Sequence, residues 1–146
     1  MNSSGRVKQL LVSAGILAAV CLVVVFRDDS AVMNQSTANV KHIGEDTFTN
    51  EVIHTSLPVV VDFYGPECPP CRELRPLLDR VAGNYTGKIK FVKVNFDESH
   101  GLDEKYDVQQ IPSVLFFRDG KLVDRMLGVP EELDLKTRLN ALAAAN

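Results

Sequence analysis

The chain has 146 residues, 45% of them hydrophobic, and a formal net charge of -3, with a pI near 5.6. That length holds one domain of about a hundred residues plus an appendage, and the acidic balance, with no basic stripe against it, argues against a nucleic-acid partner. Three cysteines, Cys21, Cys68 and Cys71, are too few for a disulfide-stapled scaffold.

Leu10 to Phe26 is a run of seventeen residues without a charge, preceded by Arg6 and Lys8 and followed by Arg27, Asp28 and Asp29. A spanning helix needs about 20 apolar residues, with a lower limit near ~17, whereas the apolar region of a signal peptide is about 7–15 long. Residues 1–27 are therefore expected to be an uncleaved N-terminal transmembrane anchor, with a cleaved signal peptide as the alternative. The two leading cations would keep the N-terminus in the cytoplasm and put the rest of the chain outside it, on the periplasmic side in a bacterium. Cys21 raises lipid attachment as a third reading. Val20 before it is bulky, however, and Leu22 to Phe26 continue the apolar run, so a small apolar residue facing lipid is preferred. Residues 28–41, DDSAVMNQSTANVK, are polar and aperiodic and read as a tether.

A domain is expected over residues 42–146. Val40 to Ile43 reads as a short edge strand, and a helix carrying Phe48, Val52 and Ile53 follows, capped by Asp46 or Thr47. Val59 to Tyr64, VVVDFY, is apolar on nearly every residue, as a strand covered on both faces should be. Gly65 and Pro66 end that strand. Cys68 and Cys71 follow with Pro69 and Pro70 between them, and Leu74, Leu77, Leu78, Val81 and Tyr85 then recur at helical spacing. A helix is expected over Pro70 to Tyr85, stopped by Thr86 and Gly87. Prolines are tolerated in a first helical turn, where the missing N–H had no intrahelical partner, so Cys68 lies at or just before the helix start. A thiolate there faces free backbone N–H groups and the positive end of the helix dipole. Cys68 is thus expected to ionise below the free-thiol value of about 8.5 and to act as nucleophile. Cys71, one turn inside and more shielded, is close enough to attack a mixed disulfide formed at Cys68.

The pattern then alternates: a strand over Ile89 to Phe96, a short helix from Ser99 to Tyr106, a strand over Ser113 to Phe117, an Asp119-Gly120 turn, and a strand over Lys121 to Leu127. A last helix, Pro130 to Ala143, puts Leu135, Leu139 and Leu142 on one face. Strand, helix, strand gives a parallel pair through a right-handed crossover, and the closing hairpin is antiparallel. The expected class is α/β, with a mixed central sheet and helices on both faces. Within it Asp62 has two readings. It either reaches solvent at the strand end, or is a buried acid whose raised pKa suits it to accept the proton of Cys71. Lys93 alone would be an ordinary strand-end lysine, Pro112 a trans proline opening a strand, and Gly128 a turn residue before Pro130. His42, His54 and His100 lack ligand spacing, and a closed zinc site wants four ligands, so no metal is expected.

From Phe48 to Leu142 the chain resembles the thioredoxin family. The resemblance is carried by VVVDFY, by CPPC, by Pro76 in the following helix, by FVKVNFD at Phe91 to Asp97, by YDVQQIPSVLFF at Tyr106 to Phe117, by the turn RDGK and by Gly128. It implies the thioredoxin fold and a protein disulfide oxidoreductase that cycles through a Cys68–Cys71 disulfide with no other cofactor. It also implies that Asp62 is the family's buried acid and that Lys93 moderates its shift. The Ile111–Pro112 bond is then cis and faces the thiols, the Ile111 backbone pairs with an extended substrate as an added strand, and Gly128 borders the same groove. Two positions depart from the family. Glu67 stands where Trp is usual, and Pro69 replaces the glycine of Gly-Pro. The Glu67 carboxylate opposes a thiolate at Cys68, while Arg72 and Arg75 favour it; Pro69 removes an N–H that could have faced the sulfur. The expected activity is disulfide reduction in exported proteins, with protein disulfides as substrates and a membrane or soluble thiol protein as electron donor. The membrane itself would be a partner through the N-terminal helix. A disulfide oxidase or isomerase, and a non-catalytic adaptor on the same fold, are the alternatives.

Overall fold

A computed structural model describes residues 39–144. The expected anchor, and the tether up to residue 38, lie outside them; among the described residues no helix is long and apolar enough to cross a membrane. Strand β1 (Val40–His42) leads to helix α1 (Glu45–Phe48), which runs on as a π-turn over Thr49–Ile53. Then come β2 (Val59–Tyr64), α2 (Pro69–Asn84), β3 (Lys90–Asn95), a 3-10 turn (Phe96–Glu98), α3 (His100–Tyr106), β4 (Ser113–Arg118), β5 (Lys121–Leu127) and α4 (Glu132–Ala144). β1 takes Val40 and Lys41 from the end of the polar stretch into the sheet.

The sheet order is β1-β3-β2-β4-β5. β3 runs parallel to both β1 and β2, while β4 is antiparallel to β2 and β5, so the sheet is mixed. Because side chains alternate along a strand, β2 serves two cores at once. Val60 packs with Leu74, Leu78 and Val81 of α2 and Leu135 and Leu139 of α4. Val59, Val61 and Phe63 point the other way, into a layer with Phe48, Val52, Leu102 and Phe117. A strand buried on both faces has no room for alternation of apolar and polar residues, which is why VVVDFY contains a single charge. Asp62 shares the Val60 side and therefore lies beneath α2.

Several boundaries differ from the sequence expectation, each for a local reason. The cap of α1 is Gly44, in extended conformation with no side-chain cap bond, not Asp46 or Thr47. Both fall inside the helix, where the Thr47 hydroxyl donates to the Gly44 carbonyl at 3.1 Å. Helix α2 begins at Pro69, one residue early, since Cys68 keeps extended dihedrals of -100° and 104° and is itself the N-cap. Pro69 and Pro70 fill the first turn, and the helix continues through Pro76 to Asn84. Asp119 and Gly120 both have positive φ, 51° and 71°, the requirement of a tight two-residue hairpin turn.

Phe48 anchors the layer under α1 and α3: it is 1% exposed, with ring centroids 5.4 Å from Tyr106 and 5.8 Å from Phe117. Phe48→Ala is expected to destabilise the fold by about 3–5 kcal/mol, read as a lower urea midpoint at unchanged slope. A loss below about 1 kcal/mol would mean that the layer does not depend on this ring.

Candidate active site

The site grows out of the end of β2. Once the strand has delivered Tyr64, the chain turns through Gly65, Pro66 and Glu67 to Cys68, whose carbonyl accepts from Arg72 N at 3.3 Å and starts α2. Cys68 and Cys71 are joined by a disulfide, with their Cα atoms 5.3 Å apart. The Cys71 N–H donates to Cys68 Sγ at 3.2 Å. With proline at the first two helical positions, this is the first amide of the turn able to donate to that sulfur, and on reduction it would favour negative charge there. Cys68 is 7% exposed and Cys71 3%, so the first cysteine is the more accessible residue of the pair.

Two loops close around the thiols. A Cβ added to Gly65 would stand 2.6 Å from Ile111 Cδ1 and 3.7 Å from Cys68 Cβ, so the bare backbone at this point lets Ile111 lie against the cysteine turn. The Ile111–Pro112 peptide bond is cis. Ser113 Oγ donates to the Gln110 carbonyl at 2.6 Å, tying the loop before Pro112 to the start of β4. Gly128, at φ 74°, donates its N–H to the Pro112 carbonyl at 2.9 Å, which seats it beside the same loop. Its neighbours Leu127 and Val129 are exposed apolar residues.

Beneath the disulfide is a small cavity of about 10 Å³ lined by Val40, Asp62, Tyr64, Cys71, Arg75, Leu78, Asp79 and Lys93. Such a volume just admits one water molecule. Asp62 is 6% exposed, and its Oδ1 has no hydrogen-bond partner. Burial pushes its carboxyl from 3.8 up to about 7, against the pull of Lys93 and Arg75 and with a further push from Asp79. Lys93 is the cross-strand partner of Asp62 in the β2–β3 register, and its Nζ sits 5.6 Å from the Tyr64 ring centroid. Burial also raises the Asp79 carboxyl, opposed by Lys93 and Arg75. Tyr64 is raised too, chiefly by burial and then by Glu98.

Of the residues singled out from sequence, Cys68, Cys71, Ile111, Pro112 and Gly128 come together at one end of the sheet, with Asp62 and Lys93 just below. Arg75 and Asp79 were missed as neighbours of Asp62. The available signal was their spacing from Cys71, four and eight residues on, which keeps all three on one side of α2. Among the described residues no group of His, Cys, Asp or Glu could hold a metal ion.

The buried acid makes stability depend on pH. Asp62 holds its proton more tightly folded than unfolded, so folding takes up a proton between about pH 4 and 7, and stability falls as pH rises through that window. Above it the whole penalty is present, on the order of 4 kcal/mol. Asp62→Asn is expected to raise the urea midpoint of the oxidised protein above pH ~8 and to change it little near pH ~4. An equal effect at both would show that Asp62 does not titrate in this range.

The comparisons with known proteins agree with this geometry. The family model described as Thioredoxin matches residues 39–141. A chloroplastic M-type thioredoxin of Chlamydomonas reinhardtii is 41% identical over 96 residues, covering 65% of this chain and 69% of the relative. Thioredoxin 1 of Synechococcus elongatus is 38% identical over 98 residues, covering 67% and 92%, and Thioredoxin 1 of a Nostoc species is 39% identical over 97 residues, covering 66% and 91%. With a disulfide-linked cysteine pair capping α2 and a family match across the domain, the chain belongs to the thioredoxin family, protein disulfide reductases whose redox centre is the cysteine pair itself, without a further cofactor.

Proposed function

We propose that the chain is a reductase of disulfides in exported proteins, held at the membrane by residues 1–27. One observation carries the chemistry: a joined Cys68–Cys71 pair capping a helix, with the Ile111 side chain lying against the cysteine turn at Gly65. In the reduced protein, Cys68 Sγ attacks one sulfur of a substrate disulfide. That S–S bond breaks, a mixed disulfide forms at Cys68, and the departing substrate thiolate takes a proton from water. Cys71 then hands its proton to Asp62 and attacks Cys68 Sγ, expelling the second substrate thiolate. Two electrons have moved to the substrate, leaving Cys68–Cys71 oxidised.

The other residues support these steps. Asp62 and Cys71 line one cavity, and a carboxyl near 7 both accepts and releases protons at neutral pH. Lys93, in register with Asp62, steadies its ionised form. The Ile111 backbone offers the substrate an edge to pair with, and Pro112 and Gly128 hold that edge in place, with Leu127 and Val129 as apolar contacts. Such recognition is broad because main-chain bonding reads no particular side chain. Electrons return from a thiol protein, membrane-bound or soluble, whose own dithiol is oxidised in the exchange. Action outside the cytoplasm is supported by the uncharged run Leu10 to Phe26 after Arg6 and Lys8.

Cys68→Ser is expected to reduce the rate of insulin reduction by dithiothreitol to that without protein, and Cys71→Ser to retain substrate as a mixed disulfide on a non-reducing gel. A Cys68→Ser chain as active as the parent would leave only the adaptor role. For location, a membrane-impermeant maleimide applied to intact cells is expected to label Cys68 after reduction. Protection of Cys68 until the membrane is broken would place the domain in the cytoplasm.

A further inference from the structure

Asp62 has to exchange a proton while 6% exposed, so the groups around its cavity decide when it is charged. Two of them, Arg75 and Asp79, come from α2 and lie outside the CPPC motif. Cys71, Arg75 and Asp79 follow one another at four-residue intervals along α2 and, with Leu78 between them, form one wall of the cavity. The opposite wall is sheet: Asp62 and Tyr64 from β2, Lys93 from β3 and Val40 from β1. Lys93 has the strand parity of Phe91, which packs in the α2 layer, so its side chain rises on the same face as Asp62. Around the rim, His42 of β1 lies edge-on to Tyr64 with centroids 5.9 Å apart, and Glu98 acts on Tyr64. On the other flank β4 presents Val114 to Asp62, without charge.

We propose that Arg75 and Asp79 are a pair of opposed positioning residues for thiol–disulfide exchange: Arg75 favours the ionised form of Asp62, Asp79 favours the protonated form, and their balance sets the pH at which Cys71 is activated. The inference rests on Asp62 being the proton acceptor of Cys71. Its geometry is that of fields across a cavity. Asp62 Oδ1 has no hydrogen-bond partner, so neither α2 residue fixes that oxygen by contact, and charge at a distance is what remains. The directions of the two influences on Asp62 are opposite, Arg75 lowering and Asp79 raising. Arg75 is exposed and Asp79 half-buried, so neither supports the core, and both stand between the buried acid and water.

The test follows the Asp62 carboxyl by carbon NMR across pH in the oxidised 146-residue chain, together with the pH profile of substrate reduction by the reduced chain. Arg75→Ala is expected to move both midpoints up and Asp79→Asn to move both down, each by roughly half a pH unit. Arg75→Lys should restore the parental midpoint, since it returns the charge without the guanidinium shape. Asp62→Asn should abolish the titration and flatten the profile. Shifts of the same sign in Arg75→Ala and Asp79→Asn, or none, overturn the pair while leaving Asp62 as acceptor. A profile unchanged by Asp62→Asn overturns the acceptor reading and the pair with it.

Discussion

Burial of β2 on both faces is the constraint from which the rest follows. Once Val59, Val61 and Phe63 are committed to one layer and Val60 to the other, β3 and β4 must flank the strand, and helices must cover both sides of it. The same commitment fixes where the strand ends, and therefore where α2 starts. Slipping β2 by one residue would exchange its two faces, setting Phe63 beneath α2 and carrying Asp62 into the layer with Phe48. The sulfur chemistry is thus positioned by packing, several residues before the cysteines themselves.

Within that packing Asp62 is an exception maintained at a cost. A carboxylate in the middle of a sheet is unfavourable by several kcal/mol unless it is compensated, and here compensation is partial: one oxygen lacks a partner, and the facing cations act from across a cavity. An Arg or Lys in direct contact would have been a better structural solution, but it would hold the acid permanently ionised. Leaving it under-compensated keeps both protonation states within reach near neutrality.

Much of this was legible in the chain. The apolar density of VVVDFY, the double proline after Cys68 and the Asp119-Gly120 turn each dictate a local geometry with few alternatives, and the strands and helices formed where those signals put them. The ends of elements were less legible: Gly44 caps α1 through backbone conformation alone, a property that side-chain rules for caps do not detect, and Cys68 caps α2 with a sulfur rather than the usual hydroxyl or carboxylate oxygen. Contacts between distant segments were least legible. That Ile111 leans on Gly65, or that Gly128 bonds to the Pro112 carbonyl, depends on how β4 and β5 return beside β2, and no local pattern encodes it. In the sequence Arg75 reads only as a charge acting on Cys68, and Asp79 does not stand out at all, since on most helices such charged residues are only the solvated side.

The shared cavity of Asp62 and Cys71 has a thermodynamic corollary. Linkage between two sites is reciprocal: if forming the disulfide alters the proton affinity of Asp62, then protonating Asp62 must alter the reduction potential of the disulfide by the same free energy. Electron carriage and proton carriage are then two faces of one equilibrium, and the acidity of the compartment the domain inhabits becomes an input to the direction in which it runs.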